Sequence, residues 1–275
     1  YMKRLDALEA AVWEYYHEHG RHTLPWRIDT SAYSVVVSEI MLQQTQVSRV
    51  FTKYAEFMAA LPDWQALANA TQAEVIGLWQ GLGYNRRALW LKRIAEQVMG
   101  EYGGELPQDP AELQKLPGIG INTAGSIAAF AFNLPVVFIE TNIRRVFIHH
   151  CFADFEIVSD VELLPLIEQV LAGNPGKSQE WYWALMDYGS YLATQQIPNP
   201  NRRSKHYAKQ SKFAGSDRQI RGEILRLLLA KKLSRAELGE ALAPYEEEVE
   251  RIDRILADMI QEGFVELQVN HYVLV

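Results

Sequence analysis

Apolar residues recur at intervals of three and four along most of the first 195 positions, the spacing that lays one stripe on a helix. The pattern predicts helices near 5–18, 33–60, 71–80, 86–102, 110–115, 122–132, 140–152, 160–172 and 178–194. Proline and glycine punctuate the joins in "ALPDW", "YGGELPQDP", "LPGIG" and "AGNPGK". Alternation with period two is scarce, and the apolar, β-branched "LPVVFIE" is too short to define a strand.

The pattern breaks at "QQIPNPNRRSKHYAKQSKFAGSD", residues 195–217. Pro-Asn pairs come first, then Arg202, Arg203, Lys205, Lys209 and Lys212, with no acid before Asp217. This reads as a basic linker over 196–217, either a solvated connector or a strand laid along phosphates with His206 and Tyr207 against sugars. Periodicity then resumes. Asp217 stands to cap "RQIRGEILRLLLAKK", and Ser234 with Glu237 has capping-box spacing before a second helix. "EEEVERIDRILADMIQEG" stops at Gly263, and "FVELQVNHYVLV" reads as two short strands about a turn near Asn270. Three helices and a hairpin predict a winged-helix-like α+β module over 218–275. Its third helix is acidic at Glu246, Glu247, Glu248 and Glu250, unlike a groove-reading helix, so a packing or partner role is expected.

Composition narrows the class. The 275 residues, 48% hydrophobic and 22% charged, suit one large folded domain or two modest ones. No run of eighteen apolar residues suggests a membrane span, and "YMKRLDALEAAVWEYYHEHG" mixes charge with apolar positions unlike a signal peptide. A cytoplasmic location is expected, on the nucleoid if the source is bacterial. The single Cys151 gives neither a disulfide framework nor a cysteine-rich metal site. A net charge of −7 argues mildly against nucleic acid, although the placement of the cations decides that question.

Three stretches carry candidate chemistry. "LPGIG" followed by "INTAGSIAAF" makes a tight turn between two helices. The turn is either a plain connection or a phosphate cradle built on Leu116, Gly118, Gly120, Asn122 and Thr123. In "FIETNIRRV", Glu140 stands at a helix start, as an N-terminal cap or as a carboxylate at the rim of a cleft. In "VVVSEIMLQQTQ", Glu39 lies among apolar residues, with Val35, Val36, Leu42 and Gln43 three and four away. Such surroundings disfavour the ionised form and suit a general acid near neutrality. His149, His150 and Cys151 are adjacent, but neighbours on a helix point about 100° apart and chelate poorly, so packing is expected of them.

Six segments, "LPWRID", "SEIMLQQTQV", "GLGYNRRA", "LPGIGINTAG", "ETNIRRV" and "ALMDYGS", resemble in order and spacing the motifs of the HhH-GPD DNA glycosylases. The resemblance is closest to the MutY-type adenine glycosylases, with endonuclease III as a wider relative, and covers about residues 1–195. It implies an all-α fold of two helical subdomains, a six-helix barrel over about 30–140 and a second from 1–29 and 141–195. It implies that Glu39 protonates the base and that Glu140 steadies the sugar cation. Gln43, Gln44 and Gln46 would enter the DNA where the extruded base leaves space. Trp26, Tyr84 and Asn85 fall at positions near the base pocket or intercalated strand, and Trp26 and Tyr84 read equally well as core aromatics. Arg202, Arg203 and Lys205 would add phosphate contacts. Asp187 matches a family position, as a hydrogen-bond anchor or in catalysis. The resemblance also leaves room for a monovalent cation on backbone carbonyls of the 116–121 turn.

Four departures qualify what the resemblance implies. Glu140 replaces an Asp, which moves the charge by about a bond length. Asn122 stands where bifunctional relatives carry a lysine nucleophile, so strand cleavage is not expected. The four cysteines of an iron–sulfur cluster have no counterpart after residue 195, so no cofactor is expected. The terminal module does not resemble the domain that reads 8-oxoguanine. The expected protein is a monomeric, monofunctional DNA glycosylase of base excision repair acting on double-stranded DNA, with adenine as the first target. Two alternatives stay open: a glycosylase for uracil, mismatched thymine or another modified base, and a non-catalytic binder of DNA lesions or structures.

Overall fold

The computed structural model describes residues 2–209, 212–243 and 249–275. Helices dominate, and the strands form one small sheet near the C-terminus. By packing, the chain divides into two compact units: Tyr1–Glu39 with Leu106–Lys209, and Ile40–Glu105 with Gln210–Val275.

In the first unit, α1 (Met2–His19) packs on α10 (Thr141–Cys151) and α12 (Ser178–Leu192). Leu5, Leu8, Val12 and Tyr16 form its buried stripe, the three-and-four spacing read from sequence. α9 (Ile121–Phe132) is buried from Ala124 to Phe130, which its run of small and apolar residues permits. Glycine fits two close approaches. A Cβ on Gly125 of α9 would lie 2.6 Å from the Phe138 Cβ, and one on Gly189 of α12 would lie 2.6 Å from Asn142. The irregular segment 133–140 therefore lies tight against α9 and leads directly into α10. "LPVVFIE" accordingly forms no strand.

In the second unit, α4 (Val47–Ala60), α5 (Trp64–Asn69), α6 (Gln72–Leu78) and α7 (Arg86–Glu101) surround Phe57, Leu67, Ile76 and Trp79. The helix expected over 33–60 is broken. α3 (Ala32–Leu42) ends, Gln44 takes a left-handed φ of 53°, and α4 begins at Val47. The break survives because a buried arginine from α7, described below, takes the carbonyls that α3 leaves open at its end.

The terminal module has the order α13 (Asp217–Ala230), β1 (Leu233–Ser234), α14 (Arg235–Leu242), α15 (Val249–Gln261), β2 (Val265–Gln268) and β3 (His271–Leu274). Helix and strand order agree with a winged-helix-like module. The sheet has three antiparallel strands in the order β1-β3-β2, one more than the hairpin expected. Val269 and Asn270 both take positive φ at the β2–β3 turn, as a two-residue hairpin requires. The Ser234–Glu237 capping box forms as expected. Asp217 does not cap α13: Ser216 holds that position, and Asp217 accepts from Arg251 and Arg254 instead. Glu246, Glu247 and Glu248 lie outside the described residues.

The packing differs from the boundaries expected near 30, 140, 195 and 218. Residues 106–140 pack with the N-terminal helices, because α9 and the segment 133–140 share the core of α10 and α12. The module after 217 is not separate from 40–105. Ile220, Ile224, Leu225 and Leu228 of α13 share one core with Ile76 of α6 and Leu89 of α7, and Gln72 Nε2 donates to the Gly263 carbonyl at 2.6 Å. Much of the expected linker is packed as well. Pro200 and Asn201 are buried in a 3₁₀ turn, and Asn201 donates to the Thr141 carbonyl.

Candidate active site

Glu39 sits on the last turns of α3, where Val35, Val36 and Val37 are buried. Its Oε2 lies 2.5 Å from Ser126 Oγ on α9. Ser126 Oγ also lies 3.0 Å from the Thr123 carbonyl. A hydroxyl has one proton to donate. The Ser126 hydroxyl therefore donates to the Glu39 carboxyl or to the Thr123 carbonyl, one at a time. Burial pushes the Glu39 pKa up to about 7, opposed by the Ser126 hydrogen bond and reinforced by the nearby charge of Glu140.

Glu140 is the N-cap of α10. Its Oε1 accepts from the Asn142 amide at 2.6 Å and the Ile143 amide at 3.0 Å. The capping reading is therefore correct in itself, and it leaves the acid beside Glu39, whose titration feels its charge. Burial raises the Glu140 pKa as well, while two amides and the Arg145 and Arg144 guanidiniums oppose that rise. Glu39 has a single hydroxyl in the same role. Glu140 thus has more donors to stabilise its charged form than Glu39 has.

Asn122 opens α9, and its Oδ1 accepts from the Ile139 amide at 3.2 Å. The position expected to touch phosphate instead ties α9 to the residue before Glu140. Ser126 was missed by sequence reasoning. The signal was an i,i+4 pair, Asn122 and Ser126, on a helix otherwise small and apolar. In the turn before α9, Gly118 has φ 73° and Gly120 serves as an N-cap without a side chain, the geometry a phosphate cradle needs. Leu116 is core, 3% exposed, so only its backbone belongs to the turn.

Asp187 is buried and accepts from both Arg27 guanidinium nitrogens at 2.8 Å and from the Arg21 backbone at 2.7 Å. Burial alone would raise its pKa, yet Arg27 and Arg21 outweigh that and hold the carboxyl below its usual range. Of the two readings open for Asp187, this is the anchor. It holds the segment carrying Trp26, which is buried and so takes the core reading.

Gln43, Gln44, Tyr84 and Asn85 line a cleft in the second unit. Gln46, exposed at the N-cap of α4, lies outside that lining. Gln44 and Tyr84 both hold left-handed backbone, with φ of 53° and 47°. One buried side chain secures both loops. Arg87 donates to the Ile40, Met41 and Gln43 carbonyls on one side and to the Leu82 and Gly83 carbonyls on the other, with Thr45 Oγ1 between. Burial lowers its pKa to about 10, so the charge persists at neutral pH. The sequence signal was a second arginine in "NRRA" aligned with the apolar face of α7.

Of the basic segment, Arg202 and Lys205 are exposed. Arg203 differs from expectation: its Nη1 donates to the carbonyls of Phe152 and Ala153 and closes the end of α10. His150 bonds the Tyr188 hydroxyl, as packing predicts, and burial lowers its pKa to about 4.

A glycine turn leading into α9, a half-buried acid bonded to that helix and a capping carboxylate beside the acid thus come together in the first unit. Residues 37–171 match the family model described as HhH-GPD superfamily base excision DNA repair protein. The chain is 32% identical over 279 residues to the adenine DNA glycosylase of Mycolicibacterium smegmatis, covering 95% of this chain and 93% of that protein. It is 37% identical over 196 residues to the adenine DNA glycosylase of Homo sapiens, covering 66% of this chain and 35% of that protein. It is 41% identical over 139 residues to that of Buchnera aphidicola subsp. Baizongia pistaciae, covering 50% of this chain and 40% of that protein. The chain thus spans less than half the length of two of these three relatives. By fold it is similar to a thermostable thymine-DNA glycosylase, with a TM-score of 0.62 at 23% identity, covering 72% of this chain and 91% of that one. The chain belongs to the HhH-GPD superfamily, in its adenine DNA glycosylase family.

Proposed function

We propose that the protein is a monofunctional glycosylase that hydrolyses the bond between adenine and deoxyribose in mispaired double-stranded DNA. The observation that carries this reading is Glu39, a carboxyl with a pKa of about 7 beside a second carboxylate. A base inside the stack is out of reach, so the nucleotide must first swing out of the duplex. Glu39 then gives its proton to a ring nitrogen of the purine. The glycosidic bond breaks, its electron pair leaves with the base, and positive charge develops at C1′ of the sugar. Glu140 in its charged form, which two amides favour, stabilises that cation as the second carboxylate does in glycoside hydrolysis. Water adds to C1′, its proton passes to Glu39, and the acid is restored. Atoms and charge balance: one water is consumed, and free base and an abasic sugar are released.

Position 122 supplies an amide, which cannot form a Schiff base, so the abasic product leaves unbroken. An iron–sulfur cluster does not fit these residues. It needs four thiolates, and the one cysteine, Cys151, is buried in α10 with its thiol pushed up to about 11. The reading therefore has no cofactor, a monomer acting on cytoplasmic DNA, and backbone amides at the 116–123 turn as the phosphate contact. No described helix is long and apolar enough to cross a membrane.

Single-turnover excision on duplexes carrying A·G, A·8-oxoG, U·G and T·G pairs tests the reading. Adenine excision with intact strands, lost in Glu39→Gln while duplex binding persists, is expected. Excision of uracil or thymine in preference to adenine would overturn the substrate, and binding with no excision of any base would overturn the enzyme.

A further inference from the structure

The cleft beside Gln44 and Tyr84 has a volume of about 470 Å³, within the range of small-molecule sites. Its far wall comes from the terminal module: Arg218 and Arg221 of α13, and Glu262 just after α15. Nothing in the sequence linked that module to the wedge loops. Arg218 donates to the Tyr84 hydroxyl, and its guanidinium carbon lies 4.9 Å from the Tyr84 ring centroid. Arg221 and Arg86 both pair with Glu262, the latter at 2.6 Å.

Charge and placement suggest a ligand. The chain carries −7 overall, yet this one cleft gathers four arginines, counting Arg87, against a single carboxylate. Arg87 is taken up by the loop carbonyls and Glu262 serves both Arg86 and Arg221, which leaves the cleft positive. The terminal module already holds its place through the shared core of Ile220, Ile224, Leu225, Ile76 and Leu89. Arg218 and Arg221, three residues apart on α13, are thereby fixed in the cleft wall, Arg218 over Tyr84 and Arg221 on Glu262. Planar guanidinium and aromatic surfaces suit a nucleobase, amides suit its edges, and cations suit its phosphate.

We infer that α13 is a DNA-contacting element: Arg218 positions the Tyr84 ring against a nucleotide of the duplex, and Arg221 with Arg86 holds that nucleotide's phosphate. The inference rests on the glycosylase reading above. Arg218 acts through Tyr84 and is a positioning residue. The terminal module then serves the DNA surface and not, as its acidic third helix suggested, packing or a protein partner alone.

The test uses the full chain and a duplex with 2-aminopurine opposite a non-cleavable abasic analogue, alongside single-turnover adenine excision. Arg218→Ala and Arg218→Gln should abolish the 2-aminopurine fluorescence change on binding. They should also slow excision about tenfold at saturating enzyme, with the melting temperature unchanged. Arg218→Lys should restore much of the affinity and little of the fluorescence change. Arg221→Gln should flatten the dependence of log affinity on log salt by about one unit. Wild-type fluorescence and salt slope in both Arg218→Gln and Arg221→Gln, with adenine still excised, would overturn the inference. A wild-type chain that neither binds the duplex nor excises adenine would instead overturn the function beneath it.

Discussion

Two neighbouring acids differ in the groups that hold them. Glu39 has a single hydroxyl partner and titrates at about 7, while Glu140 is braced by two amides and two guanidiniums. On the proposed function the working form of Glu39 is the acid, so adenine excision should fall as pH rises through 7, about tenfold between pH 6 and 8. A flat profile between those limits would remove Glu39 from the acid role. The same shift has a stability consequence. The folded pKa of Glu39 exceeds its unfolded value, so its burial costs nothing below about pH 4.5. The cost grows between about pH 4.5 and 7 and levels off above that at about 3 kcal/mol. Glu39→Gln should therefore melt above the wild type at pH 8 and together with it near pH 4. Asp187 runs the other way. Its folded pKa is depressed, so its stabilisation is present above about pH 4 and is lost as pH falls through the folded pKa. Asp187→Asn leaves Arg27 buried without its carboxylate and should cost about 3–5 kcal/mol in a urea melt at pH 7. That Glu39 is an acid in apolar company was legible in "VVVSEIML". Ser126 as its partner was not, because serine in a small-residue helix looks like any packing residue until a second helix is laid beside it.

At the scale of elements, existence was easier to read than endings. The stripes of α1, α7 and α12 are visible in the chain, since burial of one helix face demands them. The end of α3 is not, because no proline or glycine marks it. Arg87 ends it from 44 positions further on, by bonding the carbonyls of Ile40, Met41 and Gln43. That arginine also fixes the loop of Tyr84, so one side chain preorganises both lips of the cleft. Arg87→Lys cannot satisfy all of these carbonyls, with that of Tyr84, from three donors. It should weaken duplex affinity by at least tenfold and raise hydrogen exchange in 42–46 and 82–85 together. Exchange rising in only one of the two segments would contradict a shared lock. The segment 134–140 likewise has a strand-like composition and no partner strand. It stays irregular, held by Asn122 and by the closeness that Gly125 allows. Gly125→Ala would press a methyl against Phe138 and should lower stability by roughly 1–3 kcal/mol, measured by thermal melting.

Across the whole molecule, compact units do not follow chain order. Each is assembled from two stretches, and α3 passes from one to the other between Glu39 and Ile40. The terminal module belongs with residues 40–105, so a chain ending before α13 would expose Ile76 and Leu89. Such a truncation should melt lower and aggregate, with loss of protection in α6 and α7 by hydrogen exchange. Local chemistry, which depends on residue type and near neighbours, was determined by the sequence alone: the helices, the glycine turn before α9, the hairpin at Asn270, the acid at 39 and the cap at 140. The sequence could not decide contacts between residues far apart in the chain, because periodicity shows which face is buried but not against what. Tertiary packing alone supplied Ser126 to Glu39, Arg87 to the two loops, and Arg218 to Tyr84.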